Sequence, residues 1–161
     1  MFDVSQTDGE DIPQNDFCKD LTGNIDGYNE LVEKLTQAAP CPVKFGEIEG
    51  EAHGYYSHTS KEIVVKDSLS ESQTVKTLIH EIAHSILHNK EDGLEKEADR
   101  YTKEVQAESV AFTVCSMLGI DASDYSFGYV AGWSKDKDVK ELIGSMEVIR
   151  KTAGEIIDAL N

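Results

Sequence analysis

The chain contains Thr77-Leu78-Ile79-His80-Glu81-Ile82-Ala83-His84, an H-E-x-x-H sequence. On a helix, residues four apart lie one turn apart on the same face, so His80 and His84 point the same way. Two imidazoles placed like this can share one zinc ion. Glu81 sits about 100° around the helix and can reach a water beside that ion. Leu78, Ile79, Ile82, Ala83 and Ile86 surround the motif with apolar side chains. An exposed helix with two surface histidines would not carry them, so the helix is expected to be buried.

A zinc site of this kind needs a third protein ligand. Downstream, Glu104-Val105-Gln106-Ala107-Glu108 places two carboxylates on one face of a second helix. Where glutamate is the third ligand, a second acid one turn on commonly holds a ligand histidine by its free N–H. That pattern makes Glu104 the ligand and Glu108 the orienter of His80, although the sequence allows the reverse. The plain alternative is a solvated acidic stripe. Against it, Val105, Ala107, Val110, Ala111, Phe112 and Val114 make this the most apolar part of the helix. Two acids set among them call for a cation. His88 continues the spacing of His84, and H-x-x-x-H can bind a metal, so it is an alternative third ligand; its drift of about 40° off the face favours a supporting or surface position. Glu95, Glu97 and Asp99 lie among Lys96, Arg100 and Lys103 and read as a solvated face.

The 161 residues suffice for one domain with a real core. No apolar run reads as a signal peptide or membrane span. Cys18, Cys41 and Cys115 are odd in number, widely spaced and form no C-x-x-C pair. They imply reduced thiols, a cytoplasmic protein and no cysteine zinc site. The net charge of −16 would repel a phosphate backbone, so direct nucleic-acid binding by this domain is not expected.

Residues 1–25 are polar and read as an extended arm, and the abrupt start suggests a domain cut from a longer protein. Asp26 to Ala39 has helical spacing, with Asp26 as the cap and Pro40 and Pro42 as the stop. Val43–Ile48, a short run around His53–Tyr56, and Glu62–Lys66 read as strands of a small, mostly antiparallel sheet. Ser70-x-x-Gln73 is a capping box that opens the metal helix. The second helix is charged from Leu94, apolar from Val105, and ends at Gly119. Tyr125, Phe127, Tyr129, Val130 and Trp133 form an aromatic cluster that packs the core or covers the site. A final helix over Val139–Leu160 presents Leu142, Ile143, Met146, Ile149, Ala153, Ile156, Ile157 and Leu160 as one apolar stripe.

TLIHEIAHSILH, then KEVQAESVAFTVCSMLGIDASDYSFGYVAGW, then the closing helix, resembles the C-terminal metallopeptidase domain of ArdC-type antirestriction proteins. More distantly the chain is similar to the ImmA/IrrE peptidases. The resemblance covers nearly the whole chain, and the pairing of H-E-x-x-H with A-E-S-V-A-F and D-Y-S-F-G-Y is what makes it specific. It implies an α+β, zincin-like metallopeptidase fold over residues 1–161, with the sheet packed on a helical core. It carries metal-ligand roles onto His80 and His84, the general base onto Glu81, and metal-site roles onto Glu104 and Glu108. It also implies an antirestriction-type role on a plasmid or conjugative element. Full-length relatives carry an N-terminal single-stranded-DNA-binding domain, and no basic, aromatic-interleaved stretch matches it here.

The resulting expectation is a Zn²⁺-dependent metallopeptidase acting on a protein or peptide substrate, without a membrane partner. Manganese or cobalt suits the same donors. Two other readings are compatible with the residues. One is a non-catalytic binding module on the same fold, and the other is an acidic DNA mimic that inhibits a DNA-binding enzyme. Retention of Glu81 speaks against the first, because a purely structural site has no use for a base.

Overall fold

The computed structural model describes residues 25–87, 100–121 and 139–161. These form α1 (Tyr28–Ala38), β1 (Val43–Gly46), β2 (Gly54–Ser57), β3 (Glu62–Lys66), α2 (Glu71–Leu87), α3 (Arg100–Met117) and α4 (Val139–Leu160). The class is α+β, with four helices and a three-stranded sheet among the described residues. The expected arm over residues 1–24, His88, Glu95, Glu97, Asp99 and the aromatic cluster from Tyr125 to Trp133 lie outside the described residues.

The sheet is mixed and not mostly antiparallel. Its order is β1-β3-β2, with β2 antiparallel and β1 parallel to β3. The segment after β1 turns at Gly50 (φ 85) and delivers β2 to the far edge. A tight hairpin, closed by Lys61 N–H donating to the Ser57 carbonyl at 2.9 Å, then returns β3 between the two. Ile63 and Val65 of β3 point inward and are fully buried, as the two-residue period of a strand requires.

Helix α2 packs on β2, β3 and α3 and forms the centre of the core. It starts as its sequence suggests, because Ser70 Oγ accepts the backbone N–H of Gln73 at 3.1 Å. Helix α3 ends in a Schellman motif: Ile120 N–H donates to Cys115 C=O at 2.8 Å and Gly119 N–H to Ser116 C=O at 3.2 Å. Gly119 takes the φ of 83° that this motif demands.

Two expectations change. Asp26 does not cap α1; the N-cap is Gly27, in the left-handed region at φ 71°, and no side chain caps the helix. Among the described side chains of α4 the apolar stripe is buried in the C-terminal half; that of Leu142 lies outside the described residues. Ala153 and Ile156 are buried there, and Ile149, Ile157 and Leu160 pack against the core. In the N-terminal half Ile143 and Met146 are exposed, and Ser145 takes the inward position. The reason is a buried polar contact: Gln106 of α3 donates to Ser145 Oγ at 3.2 Å, which fixes the rotation of α4.

Gly54 sets how close β2 comes to α2. A Cβ there would lie 2.9 Å from Thr77 Cγ2, 2.9 Å from the Val64 carbonyl oxygen and 3.5 Å from Glu81 Cγ. Gly54→Ala is expected to cost about 1–3 kcal/mol by overpacking. Gly46→Ala, where a Cβ meets nothing within 4 Å, serves as the control and should cost far less. Denaturant melts of the two variants beside wild type check this.

Candidate metal centre

From Ser72 to Ser85 every residue of α2 is buried except His80 and His84. The two histidines are where this helix reaches the surface of the core, with side chains 14% and 15% exposed. Their rings stand edge-on with centroids 4.8 Å apart. This follows from i, i+4 spacing on a straight helix whose remaining sides are covered by the sheet, α1 and α3.

Helix α3 crosses α2 and brings Glu104 and Glu108 to these rings. Glu104 Oε1 lies 3.3 Å from His80 Nε2, and Glu104 Oε2 lies 3.2 Å from His84 Nε2. On its other side His80 uses Nδ1, 3.0 Å from Glu108 Oε1. His80, His84 and Glu104 each offer one donor atom, and the three atoms lie within 4.8 Å of one another. The donor set is chemically suited to a divalent ion. A tetrahedral zinc with arms of roughly 2.05 Å has ligand–ligand edges of about 3.3 Å. The two N···O separations match that edge.

Glu81 is buried, 7% exposed, and faces the start of β2 at Gly54. Glu108 is fully buried, while the Glu104 side chain is 27% exposed. The structure therefore gathers all five residues singled out in the sequence: His80, Glu81, His84, Glu104 and Glu108.

It adds one that the sequence reading missed. Lys76, one turn before His80, is buried, and its ammonium lies 2.5 Å from Glu108 Oε2. The signal was present: a lysine on a helix with no solvated side must have an acid to meet. Cys115 is a free thiol in the same interior, and burial pushes its pKa up to about 12. Cys41 is also a free thiol.

Electrostatics follow from this packing. For His80, burial is the largest single influence and opposes charge. Hydrogen bonds to Glu104 and Glu108, with the charges of Glu104 and Glu81, together outweigh it and raise the pKa to about 10. Burial acts on Glu104 too, but the hydrogen bonds and charges of the two histidines hold it well below the carboxylate range. Glu108 is lowered despite its burial, first by the Lys76 charge and then by the His80 hydrogen bond. Glu81 moves the other way: burial raises it, and the histidine charges only reduce the rise.

Residues 41–124 match the IrrE N-terminal-like domain, Peptidase_M78, and the chain belongs to that family. It is a metallopeptidase-like domain. Over nearly its whole length (99%) the chain is 28% identical to a Bacillus anthracis protein known as uncharacterized protein pXO2-81, of which it spans 30%. The fold is similar to that of the antirestriction protein ArdC from plasmid R388. Its Mn(II)-bound structure gives a TM-score of 0.64 at 22% identity, covering 88% of this chain and 55% of that one. Its metal-free structure gives 0.52 at 24% identity, covering 94% and 54%. The chain thus spans under a third of the Bacillus protein and about half of ArdC. Among the described residues no helix is long and apolar enough to cross a membrane.

The raised His80 pKa fixes a sign. Protonated His80 stabilises the metal-free fold fully below its unfolded value near 6.5, and this contribution is lost as pH rises through about 10. The lowered Glu104 and Glu108 contribute above about 4.5 and lose that contribution as pH falls through their folded values. A metal ion must displace the His80 proton. Calorimetric titration at pH 7.5 in buffers of different ionisation enthalpy should show roughly one proton released per ion bound. Release near zero would contradict the protonation assigned to His80.

Proposed function

We propose that the domain is a zinc-dependent metallopeptidase, with His80, His84 and Glu104 as metal ligands and Glu81 as general base. The observation that carries this reading is the convergence of three donor atoms within 4.8 Å beside the helix that also holds Glu81. Glu104 is taken as the third ligand because it faces both Nε2 atoms. Glu108 is taken as the orienter because it meets only the far nitrogen of His80 among the ring contacts seen. When bound, zinc supplies Lewis acidity and lowers the pKa of a water toward neutrality.

The chain's own residues do the remainder. Glu108 accepts the Nδ1–H of His80, leaving the Nε2 lone pair free for the ion. Glu81 takes a proton from the attacking water and passes it to the leaving nitrogen of the scissile amide. Its burial raises its proton affinity, which suits a group that must both accept and return a proton near neutral pH. The substrate is a protein segment in extended conformation. Within the described sheet β2 pairs only with β3, so its other edge can take a substrate strand. Gly54 at the start of β2 lies against Glu81, so a strand laid there passes the base. An antirestriction-type role on a plasmid or conjugative element is proposed from the likeness to ArdC of plasmid R388.

Metal content by mass spectrometry and hydrolysis of a quenched peptide library test the reading together. Wild type and Glu81→Gln should each hold about one zinc per chain, and His84→Ala none. Hydrolysis should fall about 100- to 10,000-fold in Glu81→Gln. Glu81→Gln that holds zinc and cleaves at the wild-type rate would remove Glu81 from the chemistry.

A further inference from the structure

Lys76 is among the largest fully buried side chains of the protein, and it lies four residues before His80 on the same helix. The two oxygens of Glu108 are divided between them. Oε2 lies 2.5 Å from the Lys76 ammonium and Oε1 lies 3.0 Å from His80 Nδ1. Glu108 is itself fully buried. The ammonium fixes which oxygen is left for the ring: with Oε2 held by Lys76, Oε1 stands at Nδ1, and Nε2 is the nitrogen that faces Glu104.

Resting on the metal-site reading above, we propose that Lys76 is a positioning residue for the metal centre: its ammonium clamps Glu108 so that the carboxylate accepts the Nδ1–H of His80 and leaves Nε2 free as a ligand. The charges agree with this role. Among the described residues, Glu81, Glu104 and Glu108 as carboxylates are balanced by one divalent ion and one ammonium. Simple repulsion between ammonium and ion makes the opposite prediction, that losing Lys76 tightens metal binding. The two effects differ in sign and can be separated.

The test measures zinc affinity by chelator competition and the His80 Nδ1–H hydrogen bond by ¹H–¹⁵N NMR of the zinc-loaded protein. The proteins are wild type, Lys76→Met, Glu108→Gln and the double variant. Lys76→Met should bind zinc about 10- to 100-fold more weakly, and its His80 Nδ1–H resonance should lose the downfield shift of a hydrogen bond to a carboxylate. The amide introduced by Glu108→Gln accepts the Nδ1–H without a cation. Removing Lys76 in that background should therefore change affinity by no more than about twofold. A merely structural lysine would not move that resonance. Lys76→Met that folds, binds zinc as tightly as wild type or tighter and keeps the downfield Nδ1–H shift would overturn the proposal. If Lys76→Met does not fold, Glu108→Gln against the double variant decides: a further tenfold loss in the double variant overturns it, and equal affinity supports it. Wild type that binds no zinc would sink the metal-site reading and this inference with it, an outcome distinct from a wild type that binds normally beside an unaffected Lys76→Met.

Discussion

Charge in a dry interior must be matched, and on α2 that requirement organises the rest of the structure. This helix is buried from Ser72 to Ser85 apart from its two histidines, yet it carries Lys76, His80, Glu81 and His84. Each charge there would be costly alone. Helix α3 supplies the answer by crossing α2 with Glu104 and Glu108. These ion pairs and hydrogen bonds join the two helices beside the apolar cluster that holds Leu78, Ile82, Val110 and Ala111.

The sheet and the remaining helices serve this pair. Inward Ile63 and Val65 cover one side of α2, and Gly54 brings β2 so close that a Cβ there would meet Thr77 and Glu81. Helix α4 packs behind α3, its rotation set by the Gln106–Ser145 contact. The result is a site with a graded accessibility. Glu108 and Lys76 are sealed inside, the histidines lie at the rim, and Glu104 is the most exposed member. That gradient suits a centre in which an ion is reached from outside and its ligands are held from within.

Much of this was legible in the sequence because it depends on helical spacing. His80 and His84, and Glu104 and Glu108, are each four apart, and their apolar neighbours showed that both helices are buried. The Ser70 cap, the Gly119 stop and β3 were equally local. What escaped was set by contacts between elements. Strand direction depends on where the chain goes after Gly50, so the parallel β1–β3 pair could not be read from alternation. Ile143 and Met146 fit the apolar period of α4, but a buried hydrogen bond from Gln106 outranks them and turns Ser145 inward. Asp26 is a good capping residue in isolation, but Gly27 takes the left-handed turn that begins α1. Lys76 was missed because its acid, Glu108, stands on another helix.

X-ray absorption at the zinc edge of the loaded protein bears most directly on the central claim, that two imidazoles and one carboxylate hold a single divalent ion. The account predicts nitrogen and oxygen neighbours only, at about 2.0–2.2 Å, with the outer-shell scattering of two imidazole rings, and loss of that scattering in His84→Ala. A sulfur neighbour at about 2.3 Å, or an unchanged spectrum in His84→Ala, would place the metal elsewhere and contradict it.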